Sequence, residues 1–225
     1  MTEESILREQ ICEIGYNLWQ RGMVAANDGN ISVRLKDGTF LTTPTGISKS
    51  KLTPAMLIRM NENCEVLECA EGYRPSSEFR LHLVCYRERP DVNAVVHAHP
   101  PVATGYAVAH VPLDDYSMTE AITFLGSVPL APYATPGSKE VSESVVPLLT
   151  YHDAILLMNH GAVTVGTDLT QAYFRMETLE HYAKVSLTAR LLGGARELPR
   201  EEIEKCCEIA KGYPVRHPGY RKYSL

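Results

Sequence analysis

The residues best equipped for chemistry stand together in Ala94-Val95-Val96-His97-Ala98-His99-Pro100-Pro101, an apolar run closed by two histidines and stopped by two prolines. If residues 94–99 form a β-strand, side chains alternate between its faces, so His97 and His99 project to the same side at its end. Two imidazoles held that way can grip one metal ion. Zn²⁺ takes ligand nitrogens at about 2.0–2.1 Å, and a rigid strand offers them at little ordering cost. The plainer alternative is that two polar residues simply close a buried strand. A second apolar run, Ala154-Ile155-Leu156-Leu157-Met158, has the length of a strand buried on both faces and delivers Asn159-His160-Gly161. Three neutral imidazoles from the ends of two strands would make an open His₃ site, with positions left for a substrate. Glu78 is then a candidate base beside the ion.

The elements that must position these residues can be read from periodicity. Leu7, Ile11, Ile14 and Leu18 mark one face of a helix that Glu3 and Glu4 start and Gly22 ends. The turn cluster Asn27-Asp28-Gly29-Asn30 precedes Ile31, Val33 and Leu35 in alternation. Lys36-Asp37-Gly38 then turns the chain toward Phe40 and Leu41, which is a hairpin. The second strand runs into Thr42-Thr43-Pro44-Thr45-Gly46, a bend whose exposed backbone N–H groups can hold an anion. A weaker helix is expected from Pro54 to Ile58 and a strand near Val66-Leu67. Ser77 reads as the N-cap of a helix whose apolar face is Phe79, Leu83 and Tyr86; in the alternative reading, Ser76-Ser77-Glu78 does no more than start that helix. His82 on this helix reads as structural. Further helices are expected over Val102–Ala109, Lys139–Leu149, Asp168–Leu192 and Glu201–Lys211, with a short strand at 128–131 and an irregular stretch from Pro112 to Glu120.

Composition narrows the class. A chain of 225 residues can bury one sizeable core, and residues 1–225 read as one α/β domain without repeat or linker. The net charge of −5 and the lack of a basic stripe argue against a nucleic-acid partner. Met-Thr-Glu-Glu-Ser does not resemble a secretion leader, and no apolar run reaches membrane-spanning length, so a cytoplasmic protein without membrane contact is expected. Six cysteines are scattered without a Cys-x-x-Cys spacing, which leaves histidine and carboxylate as the metal donors.

Gly29-Asn30-Ile31-Ser32, Thr43-Pro44-Thr45-Gly46, Ser76-Ser77-Glu78, His97-Ala98-His99 and Asn159-His160-Gly161, in that order, closely resemble the motifs of the class II sugar-phosphate aldolase family. That family also holds L-ribulose-5-phosphate 4-epimerases and the adducin head domain. The resemblance covers nearly the whole chain. It implies a three-layer α/β fold, a central, mainly antiparallel β-sheet flanked by helices, and a homotetramer with active sites at subunit contacts. It implies one Zn²⁺ per chain on His97, His99 and His160, with Glu78 as the acid/base carboxylate. It also places Asn30, Thr45, Gly46, Ser76 and Ser77 around the substrate phosphate. Tyr116 matches the aldolases' proton-donating tyrosine, Glu120 stands near the acid used by epimerases, and Tyr213 from a neighbouring subunit is a further candidate for proton transfer. Glu78 and Thr43 stand where the epimerases carry Asp and Lys, which favours an aldolase; Asn27 departs from the aldolases' threonine. The implied reaction is retro-aldol cleavage of a ketose 1-phosphate, L-fuculose-1-phosphate-like, into dihydroxyacetone phosphate and an aldehyde. The alternatives on this scaffold are a 5-deoxyribulose or methylthioribulose phosphate aldolase or dehydratase, an epimerase, and a non-catalytic adducin-like binding module.

Overall fold

A computed structural model describes residues 2–212. Eight strands form one sheet: β1 (Asn30–Arg34), β2 (Phe40–Thr42), β3 (Ile58–Met60), β4 (Val66–Glu68), β5 (Ala94–Ala98), β6 (Leu130–Ala131), β7 (Ala154–Leu157) and β8 (Gly161–Gly166). Their spatial order is β4-β3-β2-β1-β5-β8-β7-β6. Every neighbouring pair is antiparallel except β6 with β7. The helices are α1 (Glu3–Gln20), α2 (Phe79–Glu88), α3 (Pro101–Val108), α4 (Thr119–Phe124), α5 (Lys139–Leu149), α6 (Leu169–Leu191) and α7 (Arg200–Ala210).

The central strands are buried on both faces, so their alternate residues feed two separate cores. Val96, Leu156 and Ala162 pack with Ile11, Ile14 and Leu18 of α1 and with Met176 and Leu179 of α6. Val95, Ile155 and Val163 pack on the other side, with Phe79, Leu83 and Tyr86 of α2 and Val145 and Leu149 of α5. The result is three layers, helix–sheet–helix. Each fully buried Val, Leu or Ile contributes roughly 1.5–3 kcal/mol. His97 shares the parity of Val95 and therefore faces the α2/α5 layer. Where the layers meet at the far end of the sheet, Asp153 is fully buried between Arg89 at 3.0 Å and Arg175 at 2.8 Å, tying α2, β7 and α6 together.

The α1 face, the first hairpin and α5 lie as the sequence predicts. Thr2 caps α1 by accepting from Ser5 N at 3.2 Å. Two local readings change, and one further element appears. Pro54–Met56 is only one 3₁₀ turn, and Ile58–Met60 leaves it as β3, because Ile58 and Met60 gain a buried face beside β2. The stretch read as irregular ends in α4, which packs on α6 and α7. Residues 161–166, not assigned from sequence, form β8, the partner of both β5 and β7. No described helix is long and apolar enough to cross a membrane.

Candidate metal centre and active site

His97 lies in β5 directly opposite Asn30, the first residue of β1, and opposite Val163 of β8. His99 follows the strand, its backbone N–H bonded to Met23 O at 2.9 Å. His160 sits in the tight connection from β7 to β8, where Asn159 takes a left-handed φ of 57° and its Oδ1 accepts from His110 Nε2 at 2.7 Å. Asparagine tolerates that conformation better than a bulkier residue would. Gly161 is required by space: a Cβ there would stand 2.5 Å from His99 Cδ2 and 2.6 Å from Ala98 O.

The three imidazoles converge, each offering a nitrogen, with those nitrogens all within 4.8 Å of one another. His97 Nδ1–H donates to Ala162 O at 2.9 Å, and His99 Nδ1–H donates to Asp28 Oδ2 at 2.9 Å. Both therefore turn an Nε2 lone pair inward, and these two atoms are 3.2 Å apart. Two facing lone pairs repel unless a cation lies between them. A tetrahedral centre with bonds of about 2.0–2.1 Å has an edge of about 3.3–3.4 Å, so the donor set fits such an ion. His97 is completely buried, and burial pushes it down to about 4, which keeps it neutral and ligating at pH 7.

Glu78 borders the triad, its Oε2 3.5 Å from His97 Nε2 and its Oε1 3.2 Å from His160 Nε2. Burial would raise its pKa, but His97, His160 and a hydrogen bond from Asn30 Nδ2 at 2.9 Å prevail and hold it well below the usual carboxylate range. Glu78 itself occupies the N-cap position of α2, one residue later than expected and without a side-chain capping bond, while Ser76 Oγ accepts a hydrogen bond from Glu78 N at 3.2 Å. The Thr45-Gly46 bend lies against this segment: Pro44 pairs with Pro75, and Thr45 N donates to Arg74 O at 3.0 Å. The 137 loop passes over Ser77, since a Cβ on Gly137 would stand 2.8 Å from Ser77 Oγ. Asn30, Thr45, Gly46, Ser76 and Ser77 are thus assembled beside Glu78.

The other expected residues are not. Tyr116 is 2% exposed and packs in a separate apolar cluster with Ile122, Ile203 and Cys206. Glu120 is on the surface in the first turn of α4, bonded to Thr119 Oγ1 at 2.8 Å. Neither converges on the histidines within the chain, because α4 packs against α6 and α7 and not against β5. Tyr213 lies outside the described residues. His82 is buried and neutral, pushed down to about 3 by burial, with Nδ1 2.6 Å from Ser32 Oγ, as a structural histidine should be. Two residues near the site went unread in the sequence: Asp28, masked as a turn former, and Lys49, masked as a surface lysine. The turn cluster and the anion-binding bend were their only signals.

Residues 9–187 match the family described as Class II Aldolase and Adducin N-terminal domain. The chain belongs to that family. An L-fuculose phosphate aldolase of Escherichia coli O6:H1 is 35% identical over 215 residues, 95% of this chain and 98% of the relative. A 3-oxo-tetronate 4-phosphate decarboxylase of Escherichia coli is 36% identical over 187 residues, 81% of this chain and 86% of the relative. A solved L-fuculose 1-phosphate aldolase superposes with a TM-score of 0.85 at 30% identity, covering 94% of this chain and 98% of that one. This class II aldolase is accordingly a lyase of the three-layer α/β fold, and enzymes of the class depend on a metal ion.

Proposed function

We propose that this class II aldolase is a zinc enzyme that cleaves a ketose 1-phosphate of the L-fuculose type into dihydroxyacetone phosphate and an aldehyde. The observation that carries the reading is the convergence of His97, His99 and His160 with a carboxylate, Glu78, 3.2–3.5 Å from two of them. An ion held there would polarise the substrate's C2 carbonyl. Glu78, 3.2–3.5 Å from two of the histidines, would exchange the proton at the neighbouring carbon. As a carboxylate it removes that proton in the condensation direction, and the same group returns it in cleavage. Asn30 steers Glu78 through Nδ2, while its buried Oδ1, without a hydrogen-bond partner among the described residues, offers an acceptor to a substrate hydroxyl. The phosphate is taken by the Thr45-Gly46 bend and by the hydroxyls of Ser76 and Ser77 at the start of α2.

The chain works as one domain. A cytoplasmic homotetramer with sites at subunit contacts is the assembly that suits it, with Tyr116, buried beside α7, and Glu120, on the surface, both kept as candidates for proton transfer across a contact. Tyr213 is the other candidate for the proton on the C4 oxygen.

The decarboxylase relative favours a second reading. Losing carbon dioxide from a 3-oxo-tetronate 4-phosphate leaves the same enediol, so it also yields dihydroxyacetone phosphate after protonation. The three-carbon product cannot separate the two reactions; the co-product can. The test is to incubate metal-loaded protein with a panel of ketose 1-phosphates and with 3-oxo-tetronate 4-phosphate, measuring aldehyde and carbon dioxide alongside dihydroxyacetone phosphate. Aldehyde release supports the aldolase, carbon dioxide alone the decarboxylase, and turnover after complete metal removal refutes both.

A further inference from the structure

Lysine is rarely sealed inside a protein, because its ammonium gives up hydration that a few carbonyls replace only in part. Lys49 is 1% exposed. It begins the 3₁₀ turn Lys49–Lys51, under α1, where a Cβ on Gly15 would stand 3.1 Å from the Lys49 carbonyl oxygen. Its Nζ donates to Ile47 O at 3.0 Å and to Asn27 O at 3.4 Å, using two of its three N–H groups. The first acceptor continues the Thr45-Gly46 bend; the second belongs to the turn that carries Asp28 and Asn30. The ammonium therefore joins the two segments from beneath. The carboxylates whose charge it feels are Asp28 and Glu78.

An anionic substrate meets a problem of sign here. Asp28 and Glu78 are spent on the charge of an ion held by the triad, and a phosphate bound by hydroxyls and amides alone would bring its own negative charge uncompensated. We propose that Lys49 is the buried cation of the phosphate end, a positioning residue that acts from beneath the Thr45-Gly46-Ile47 bend and makes the site prefer a phosphorylated ligand. The inference rests on the phosphate site described under Proposed function. Burial pushes Lys49 down to about 8 against the pull of Asp28 and Glu78, so it is charged at neutral pH. A role in packing alone accounts poorly for the residue, since a methionine would fill similar space without burying a charge.

The test titrates dihydroxyacetone phosphate, with dihydroxyacetone as the uncharged control, into metal-loaded wild type, Lys49→Met and Lys49→Arg. Melting temperature and bound metal are recorded for each. Lys49→Met should bind the phosphorylated ligand about ten- to a hundredfold more weakly, the scale of one charge acting across several ångströms at an effective dielectric constant near 20. It should keep wild-type affinity for dihydroxyacetone, retain its metal and melt no lower, and Lys49→Arg should recover most of the preference. Lys49→Gln, which keeps a donor for the two carbonyls without the charge, gives the same comparison if the methionine variant does not fold. Wild-type phosphate preference in the uncharged variants overturns the role of Lys49 alone. Equal loss for both ligands with a lower melting temperature assigns it to packing. A wild type that binds both ligands equally removes the phosphate site and this inference with it.

Discussion

Replacing Asp28 by asparagine removes a charge from behind one histidine of the triad while keeping its shape. Asp28 Oδ2 accepts from His99 Nδ1 at 2.9 Å, and Oδ1 accepts from Ala25 N at 2.6 Å, so the carboxylate is fixed at both oxygens. Its neighbour Gly29, at a φ of 70°, has no room for a side chain, since a Cβ would lie 2.7 Å from Val24 Cγ1 and 3.0 Å from His97 O. His97, by contrast, leans on a neutral carbonyl, so of these two ligands His99 alone carries a charge-assisted hydrogen bond. A hydrogen bond to a charged group contributes about 1.5–3 kcal/mol and a neutral one about 0.5–1.5 kcal/mol. The difference, about 1–2 kcal/mol, predicts metal binding roughly five- to thirtyfold weaker in Asp28→Asn. Asp28→Ala, which loses the orienting bond as well, should approach the upper part of the roughly 10–100-fold range seen when such a partner is removed. Competition for Zn²⁺ against a chromophoric chelator measures this without turnover, and Co²⁺ absorption reports whether the ligand geometry survives. Wild-type affinity in both variants would refute the argument that Asp28 sets the donor strength of His99.

Three further outcomes are expected. Glu78→Gln should retain metal and substrate affinity but lose about 10²–10⁴ in kcat; a lower melting temperature with near-normal kcat would instead make the residue a helix start only. Gly161→Ala should weaken metal binding by disturbing the backbone that carries His160 and the ring of His99, and unchanged chelator competition would show that the turn absorbs the extra carbon. Asp153→Ala leaves Arg175 buried without its carboxylate partner, Arg89 keeping Asp91 at 2.7 Å, and should cost about 3–5 kcal/mol in denaturant unfolding, with Asp153→Asn losing less.

What the sequence makes legible is what lies within one element. The α1 stripe and α5 from Lys139 to Leu149 announce themselves by period, the run 154–158 by its unbroken apolar length, and His97 and His99 by strand parity. The order of strands does not, because β8 is flanked by Gly161 and Gly166 and gains its identity from β5, far away in the chain. Ile58–Met60 is a strand only because Phe40 and Thr42 are there to pair with it. Asp28 and Lys49 are hidden for a related reason. Aspartate in a turn and lysine near a bend are ordinary on a surface, and only the assembled sheet brings one to His99 and seals the other. Tyr116 shows the converse: a residue matched by motif alone is placed by packing into an apolar cluster.

The pairing of β5 sets the time at which the metal site can exist. Residue 94 faces residue 33 on one side and residue 166 on the other, so His97 meets His160 only after long loops have closed, the slow class of event in folding. The complete three-histidine grip therefore belongs to the assembled sheet. An ion that binds the assembled triad stabilises the folded state by mass action. At a free concentration one hundredfold above Kd it adds about 2.7 kcal/mol against unfolding. Removing the ion is expected to lower the unfolding free energy by that amount, and adding it back to restore it.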